Sequence, residues 1–239
     1  MGGIIEMTTN KNGSFQLLGV AFFAQALTSL IGGVLYDSLI SKESINITLS
    51  NMANSISTIY SSVFLLIVTA VVIILLGVAM YMAAGHINKT MAMIALGFYI
   101  FEAVLLAVSQ VFVSGLVKVS QLYLTGGDAG LVSLGNVLLS CKDFTGKIAM
   151  IPFGFGAIFF YYLLMKAKII PKWLALWALI TVPFVLVGVP LTAFGVTVPF
   201  AIFIPYVPFE FFTGIYILIT YRKKSFATFG GSSTDSYID

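Results

Sequence analysis

The chain alternates between long apolar stretches and short polar connections. Six stretches are long enough for a helix to cross the hydrocarbon core of a bilayer, which takes about 20 mostly apolar residues. They cover approximately residues 15–39, 58–84, 91–113, 144–165, 173–194 and 198–221, and the third could continue to residue 124. Because lipid cannot satisfy exposed backbone groups, spanning segments are expected to be helical. The pattern therefore predicts an all-α bundle of six transmembrane helices.

The connection between the first two stretches carries a helical repeat of its own. Apolar residues recur there at steps of four, three, four and three, namely Ile45, Leu49, Met52, Ile56 and Ile59. Asparagine and serine fill the other faces, so the pattern predicts an amphipathic helix. We favour a solvated extension of the second spanning helix. The alternative is a separate helix lying in the membrane interface.

The connection after the third stretch shows a similar repeat. A turn at residues 125–128 ends in Asp128, a residue suited to cap a helix. Apolar residues follow at helical spacing: Leu131, Leu134, Leu138 and Cys141. The sequence therefore predicts a short interfacial helix here as well.

Lysine and arginine are distributed unevenly between the two sets of span ends. One set holds eight of them: Lys11, Lys89, Lys166, Lys168, Lys172, Arg222, Lys223 and Lys224. The opposite set holds four, in longer loops: Lys42, Lys118, Lys142 and Lys147. The denser set is expected in the cytoplasm. We therefore predict a cytoplasmic segment over residues 1–14, the six-helix domain over 15–221, and a basic, then disordered, cytoplasmic tail over 222–239.

Composition agrees with a membrane protein and excludes several functions. Charged residues make up only 9% of the chain and apolar residues 59%, whereas a soluble domain has about 25% charged residues. The net charge of +3 is small and its basic residues sit at span ends, so no nucleic-acid partner is expected. One cysteine and one histidine exclude an internal disulfide and a zinc site. We predict no cofactor, no metal site and no catalytic residue, and an enzyme is the least favoured class.

Three polar side chains lie deep within the predicted spans. Glu102 is in the third, Glu210 in the sixth and Gln25 in the first. Counting from the span ends places all three near the membrane midplane. Ionisable groups at that depth are costly and usually functional.

Small and polar residues share helix faces with these side chains, so the faces should pack against protein rather than lipid. Gln25 shares its face with Thr28, Ser29, Gly32 and Tyr36. We predict that the first, third and sixth helices surround one buried polar cluster. Its members are Glu102, Glu210, Gln25, Tyr206, Thr213 and Ser109.

Two interpretations of this cluster remain open. Neutral glutamic acids could simply hydrogen-bond the helices together, since no lysine or arginine lies at the same depth. Alternatively, the carboxyl groups could relay protons or bind a ligand. Pro205 and Pro208 favour the second interpretation, because each removes a backbone donor and frees a carbonyl close to Glu210.

Several segments resemble a known membrane family. The stretch FYYLLMKAKIIPKWLALWALI combines an aromatic helix, a short basic loop and an Ile-Pro-basic-aromatic-Leu run at residues 170–174. With GVAFFAQALTSLIGGVLYD, FEAVLLAVSQ and the glutamate of the last span, it resembles the bacterial and archaeal family called domain of unknown function 4386. The resemblance implies a six-helix fold and a multi-pass protein of a prokaryotic plasma membrane. It implies no particular mechanism.

The function predicted from these observations is that of a membrane protein with a central polar cavity. It would be a transporter of a small solute or ion, or a sensor that binds one. The alternative is a structural or regulatory membrane subunit without a solute path. The predicted partners are the lipid bilayer and a small molecule or ion.

Overall fold

The structure is a computed structural model that describes residues 2–126 and 128–230, with side chains for 13–126, 128–206 and 208–220. The described residues contain helices and no strand, so the all-α prediction is confirmed. The helices are α1 (Gly2–Asp37), α2 (Ile45–Asn54), α3 (Ile56–Ala84), α4 (Lys89–Gly126), α5 (Ala129–Ile148), α6 (Met150–Lys166), α7 (Lys172–Ala193) and α8 (Val207–Gly230). Two 3₁₀ turns, Phe200–Ile202 and Ile204–Tyr206, precede α8.

Six helical segments in the described part of the chain are long and apolar enough to cross a membrane. They are Gly13–Asp37, Ile56–Ala84, Lys89–Gly126, Ala129–Lys166, Lys172–Ala193 and Phe200–Thr220. Large apolar side chains such as Phe64, Val111 and Ile180 are exposed on their outer faces, as lipid-facing surface requires. The prediction of six spanning helices is confirmed in number and approximate position.

α2 is a separate helix, so its interpretation as a solvated extension of α3 is wrong. Ser44 caps its start by accepting a hydrogen bond from the backbone N–H of Asn46. Its end is the non-helical backbone of Ser55 (φ −125°, ψ 48°). Leu49 and Met52 are completely buried, because α2 packs against α4. The apolar stripe in the sequence therefore faces protein.

The predicted short helix after the third span is longer than expected. Asp128 caps α5 by accepting from the Gly130 N–H at 2.8 Å, and the helix then reaches Ile148. α6 begins only two residues later. Pro152 explains the break, because a proline cannot donate to the carbonyl four residues earlier, which is that of Ile148, and its ring clashes with it. The fourth span thus consists of two nearly continuous helices.

Both ends of the described chain are helical beyond the predicted limits. α1 begins at Gly2, inside the predicted segment 1–14, and α8 continues to Gly230, past the point where the sequence predicts disorder. No proline or glycine lies between residues 215 and 229, so nothing local stops the helix earlier. The rest of the predicted tail, 231–239, lies outside the described residues.

The first and last helices are in direct contact, and the remaining helices pack in a chain of neighbours. α1 packs along α3 and α8, α3 along α4, α4 against α5 and α6, and α6 against α7. Gly214 allows the close approach of α8 to α1, because a Cβ there would lie 3.1 Å from the backbone nitrogen of Phe23. Ser62 joins α3 to α1 by donating to the Gly32 carbonyl at 2.7 Å.

Candidate functional site

A cavity of about 250 Å³ lies inside the bundle. We call it the carboxylate cavity, because Glu102 and Glu210 both line it. Its other polar lining residues are Gln25, Ser29, Thr69 and Tyr206, and its apolar lining residues are Ile73, Leu106, Met150, Phe153, Val185 and Phe203. The lining therefore comes from α1, α3, α4, α6, α7, α8 and the irregular segment before α8. A liquid water occupies about 30 Å³, so this volume suits a small ligand or a few waters.

Both oxygens of Glu210 accept hydrogen bonds from neutral donors. The Tyr206 hydroxyl donates to Oε1 at 2.5 Å, and the Gln25 Nε2 donates to Oε2 at 3.2 Å. Tyr206 precedes Glu210 by one helical turn, whereas Gln25 comes from α1. The second bond therefore links the first spanning helix to the last.

The irregular segment before α8 is held in place by α7. Pro199, Pro205 and Pro208 lie within ten residues, and the backbone forms two 3₁₀ turns there instead of a continuous helix. The Trp177 indole N–H donates to the Pro205 carbonyl at 2.9 Å. This carbonyl, next to Tyr206, is thus bonded to a side chain and does not face the cavity as a free acceptor.

Glu102 has a different environment from Glu210. Its side chain is only 4% exposed. Its Oε2 atom has no hydrogen-bond partner among the described residues, and the same holds for Gln25 Oε1. A buried carboxyl oxygen without a donor is unfavourable unless water, a proton or a cation satisfies it.

The three helices predicted to surround the cluster do not all pack against one another. α1 and α8 touch along their length, but α4 packs against α3, α5 and α6 rather than against either of them. Glu102 therefore lines the same cavity as Gln25 and Glu210 although α4 does not pack against α1 or α8. Helical periodicity identifies the polar face of a helix, but it does not identify which helices are neighbours.

Two of the predicted cluster residues do not line the cavity. Ser109 lies seven residues from Glu102, about 10 Å along the helix, and donates to the Leu106 carbonyl at 2.6 Å. Thr213 is completely buried near Glu210, and its hydroxyl has no partner among the described residues.

One polar lining residue was missed by the sequence analysis. Thr69 is the one polar side chain between Val63 and Met80 of the most apolar span, and its Oγ1 lies 2.8 Å from that of Thr28. Its isolation among apolar residues was the available signal. Ser29 was recognised only as a neighbour of Gln25, and it also lines the cavity.

The fold and the site define an all-helical integral membrane protein in which two carboxyl groups line one cavity. The chain belongs to the family described as Domain of unknown function (DUF4386), whose profile matches residues 17–220. The resemblance seen in the sequence is thereby confirmed. Comparison with curated proteins and with solved structures finds no match.

Proposed function

We propose that this protein is a transporter that binds a small cation in the carboxylate cavity. The observation that supports this most is the pairing of two acids with no basic residue. Glu102 and Glu210 line one cavity, and among the described residues no lysine, arginine or histidine lines it with them. Ionised carboxyl groups in such a site need a positive counter-charge. A proton, a monovalent metal ion or a small protonated amine would supply it.

The remaining lining residues favour a small monovalent cation. Phe153, Phe203 and Tyr206 present aromatic rings to the cavity, and such rings attract cations. Glutamine, serine and threonine oxygens would complete the coordination. No group of three or more His, Cys, Asp or Glu side chains able to hold a metal ion occurs in the described part of the chain, so the site offers fewer charged ligands than most divalent cations use.

A structural or regulatory subunit is the second candidate, and a specific observation favours it. The Gln25–Glu210 hydrogen bond joins α1 to α8, which is what a purely architectural role requires. The unpartnered oxygen of Glu102 argues for the transporter, because an architectural carboxyl group would be expected to have a donor.

Binding of a cation should raise the thermal stability of the purified protein. We expect sodium, potassium or methylammonium chloride to raise the unfolding midpoint in neutral detergent, with choline chloride as the ionic-strength control. At a hundred times the dissociation constant, the gain is about 2.7 kcal/mol. Glu102→Gln should remove the gain, whereas Ser109→Ala, on the same helix but outside the cavity, should retain it. An equal gain in wild type and Glu102→Gln would contradict the proposal.

The cation would move across the plasma membrane of a prokaryote, and we propose that both chain termini are cytoplasmic. Cys141 provides a test because it is the only cysteine of the chain and lies half-buried in α5. A membrane-impermeant maleimide should label it in intact spheroplasts, and Cys141→Ser should abolish the signal. Labelling that appears only after lysis would mean that Cys141 faces the cytoplasm, which contradicts the proposed orientation, or that the thiol is inaccessible.

A further inference from the structure

A second cavity, of about 640 Å³, lies where α6 ends and α7 begins. We call it the lysine cavity, because Lys166, Lys168 and Lys172 all line it. Tyr216 of α8 and Leu176 of α7 line it as well. Three positive charges from seven consecutive residues therefore converge on one concave surface.

Among the described side chains, none of these three charges has an acidic partner. Among the described side chains, the one ion pair is Lys142–Asp143, far along the chain from this cavity. The ammonium of Lys166 lies 5.5 Å from the centre of the Tyr162 ring. Like charges that line one cavity repel one another, so an anion in the cavity would be bound favourably.

The backbone of Lys168 supports a role for its side chain. The Lys168 N–H bonds the Met165 carbonyl at 3.1 Å and the Ile169 N–H bonds the Leu164 carbonyl at 3.0 Å. This is the Schellman arrangement that ends a helix, and it places Lys168 at the position usually taken by glycine. Its φ is +56°, a conformation that disfavours residues with a Cβ. Glycine would adopt this conformation without strain, so the lysine at this position indicates a function for its ammonium group.

The position of the lysine cavity indicates which anion it would meet. Lys166 ends one candidate span and Lys172 begins the next, so the ammonium groups lie at the level of lipid headgroups. The exposed ring of Trp173 is typical of the same level. Leu176, also exposed, continues the cavity wall towards the apolar surface, where an acyl chain would run.

We propose that the lysine cavity binds the phosphate headgroup of an anionic phospholipid. The three ammonium groups bind the phosphate oxygens as point charges, and the Tyr216 hydroxyl is available as a further donor. Each lysine near an anionic lipid contributes about fivefold to affinity. This site is independent of the carboxylate cavity and of its proposed function.

Native mass spectrometry of the protein in neutral detergent tests this proposal. Phosphatidylglycerol and phosphatidylcholine are titrated separately onto the wild type and its variants. We expect phosphatidylglycerol to bind more tightly by at least about tenfold. Lys168→Gly should weaken its binding about fivefold and leave the unfolding midpoint unchanged or higher, because glycine relieves the backbone strain. Lys168→Arg should retain binding, as should Lys118→Gln, which removes a lysine near the C-terminal end of α4, outside the lysine cavity.

The triple variant Lys166→Gln, Lys168→Gln and Lys172→Gln should lose about a hundredfold in affinity for phosphatidylglycerol. If it does not fold, Lys168→Gly still decides the question. Equal affinity of wild type and Lys168→Gly for phosphatidylglycerol would overturn the proposal. Stabilisation by inorganic phosphate alone, with no preference between the two lipids, would also overturn it and assign the site to a free phosphate.

Discussion

Replacing Glu210 with leucine should lower the free energy of unfolding by about 1–4 kcal/mol, and the same change at Glu102 should cost much less. Glu210 accepts hydrogen bonds from Tyr206 and from Gln25, and leucine would leave both donors buried without an acceptor. Glu102 has an oxygen with no partner, so leucine there removes an unsatisfied group. The measurement is thermal and denaturant unfolding in detergent.

A double-mutant cycle with Gln25→Leu isolates the bond between α1 and α8. Gln25→Leu and Glu210→Leu together should cost less than the sum of the two single changes, because both remove the same bond. Glu210→Gln should be nearly neutral, since the amide retains an acceptor and the Gln25 amide can rotate to present its free oxygen. Equal losses for leucine at positions 102 and 210 would show that the different environments of the two acids have no energetic consequence.

Glu102→Gln should reduce cation flux at least about tenfold without loss of stability. The size of the flux effect follows from losing the carboxylate's interaction with the cation, because an interaction with a charged group contributes about 1.5–3 kcal/mol. Glutamine has nearly the shape of glutamate but cannot ionise, so it can neither balance a bound cation nor release a proton. Proteoliposomes with an internal pH-sensitive or potassium-sensitive dye report the flux. Glu210→Gln should have the same effect on flux.

Ser109→Ala is the matched control, because Ser109 is buried on α4 outside the carboxylate cavity. It should transport at the wild-type rate. Unchanged flux in both glutamine variants, or no flux of any tested cation through the wild-type protein, would favour the structural subunit over the transporter.

The sequence predicted the spans because bilayer thickness fixes the length of apolar helices. It placed the ends of α3 and α7 within two residues of those observed. It placed the break between α5 and α6 before residue 144, several residues too early, because it did not take account of Pro152, beside which the observed break lies. It misjudged α2 as an extension of α3, because the apolar repeat from Ile45 to Ile59 continues across Ser55, where the helix breaks.

The polar residues of the carboxylate cavity were predictable as a set but not in their arrangement. Glu102, Glu210, Gln25 and Tyr206 all line it, and each was identified from its depth or its helix face. The opposite environments of the two acids could not be predicted. They depend on which helices are neighbours, and tertiary packing decides this rather than periodicity within one helix.

Cysteine accessibility tests most directly whether small cations reach the carboxylate cavity. In a Cys141→Ser background, Glu102→Cys introduces a single thiol on the cavity wall. Phe101→Cys introduces one at the adjacent position, where the native side chain is exposed on the apolar outer surface. The reagent is 2-aminoethyl methanethiosulfonate, a small cation that reacts with thiolates in contact with water. The account predicts rapid modification at position 102 and little at position 101. Modification at neither position, or at equal rates, would contradict it.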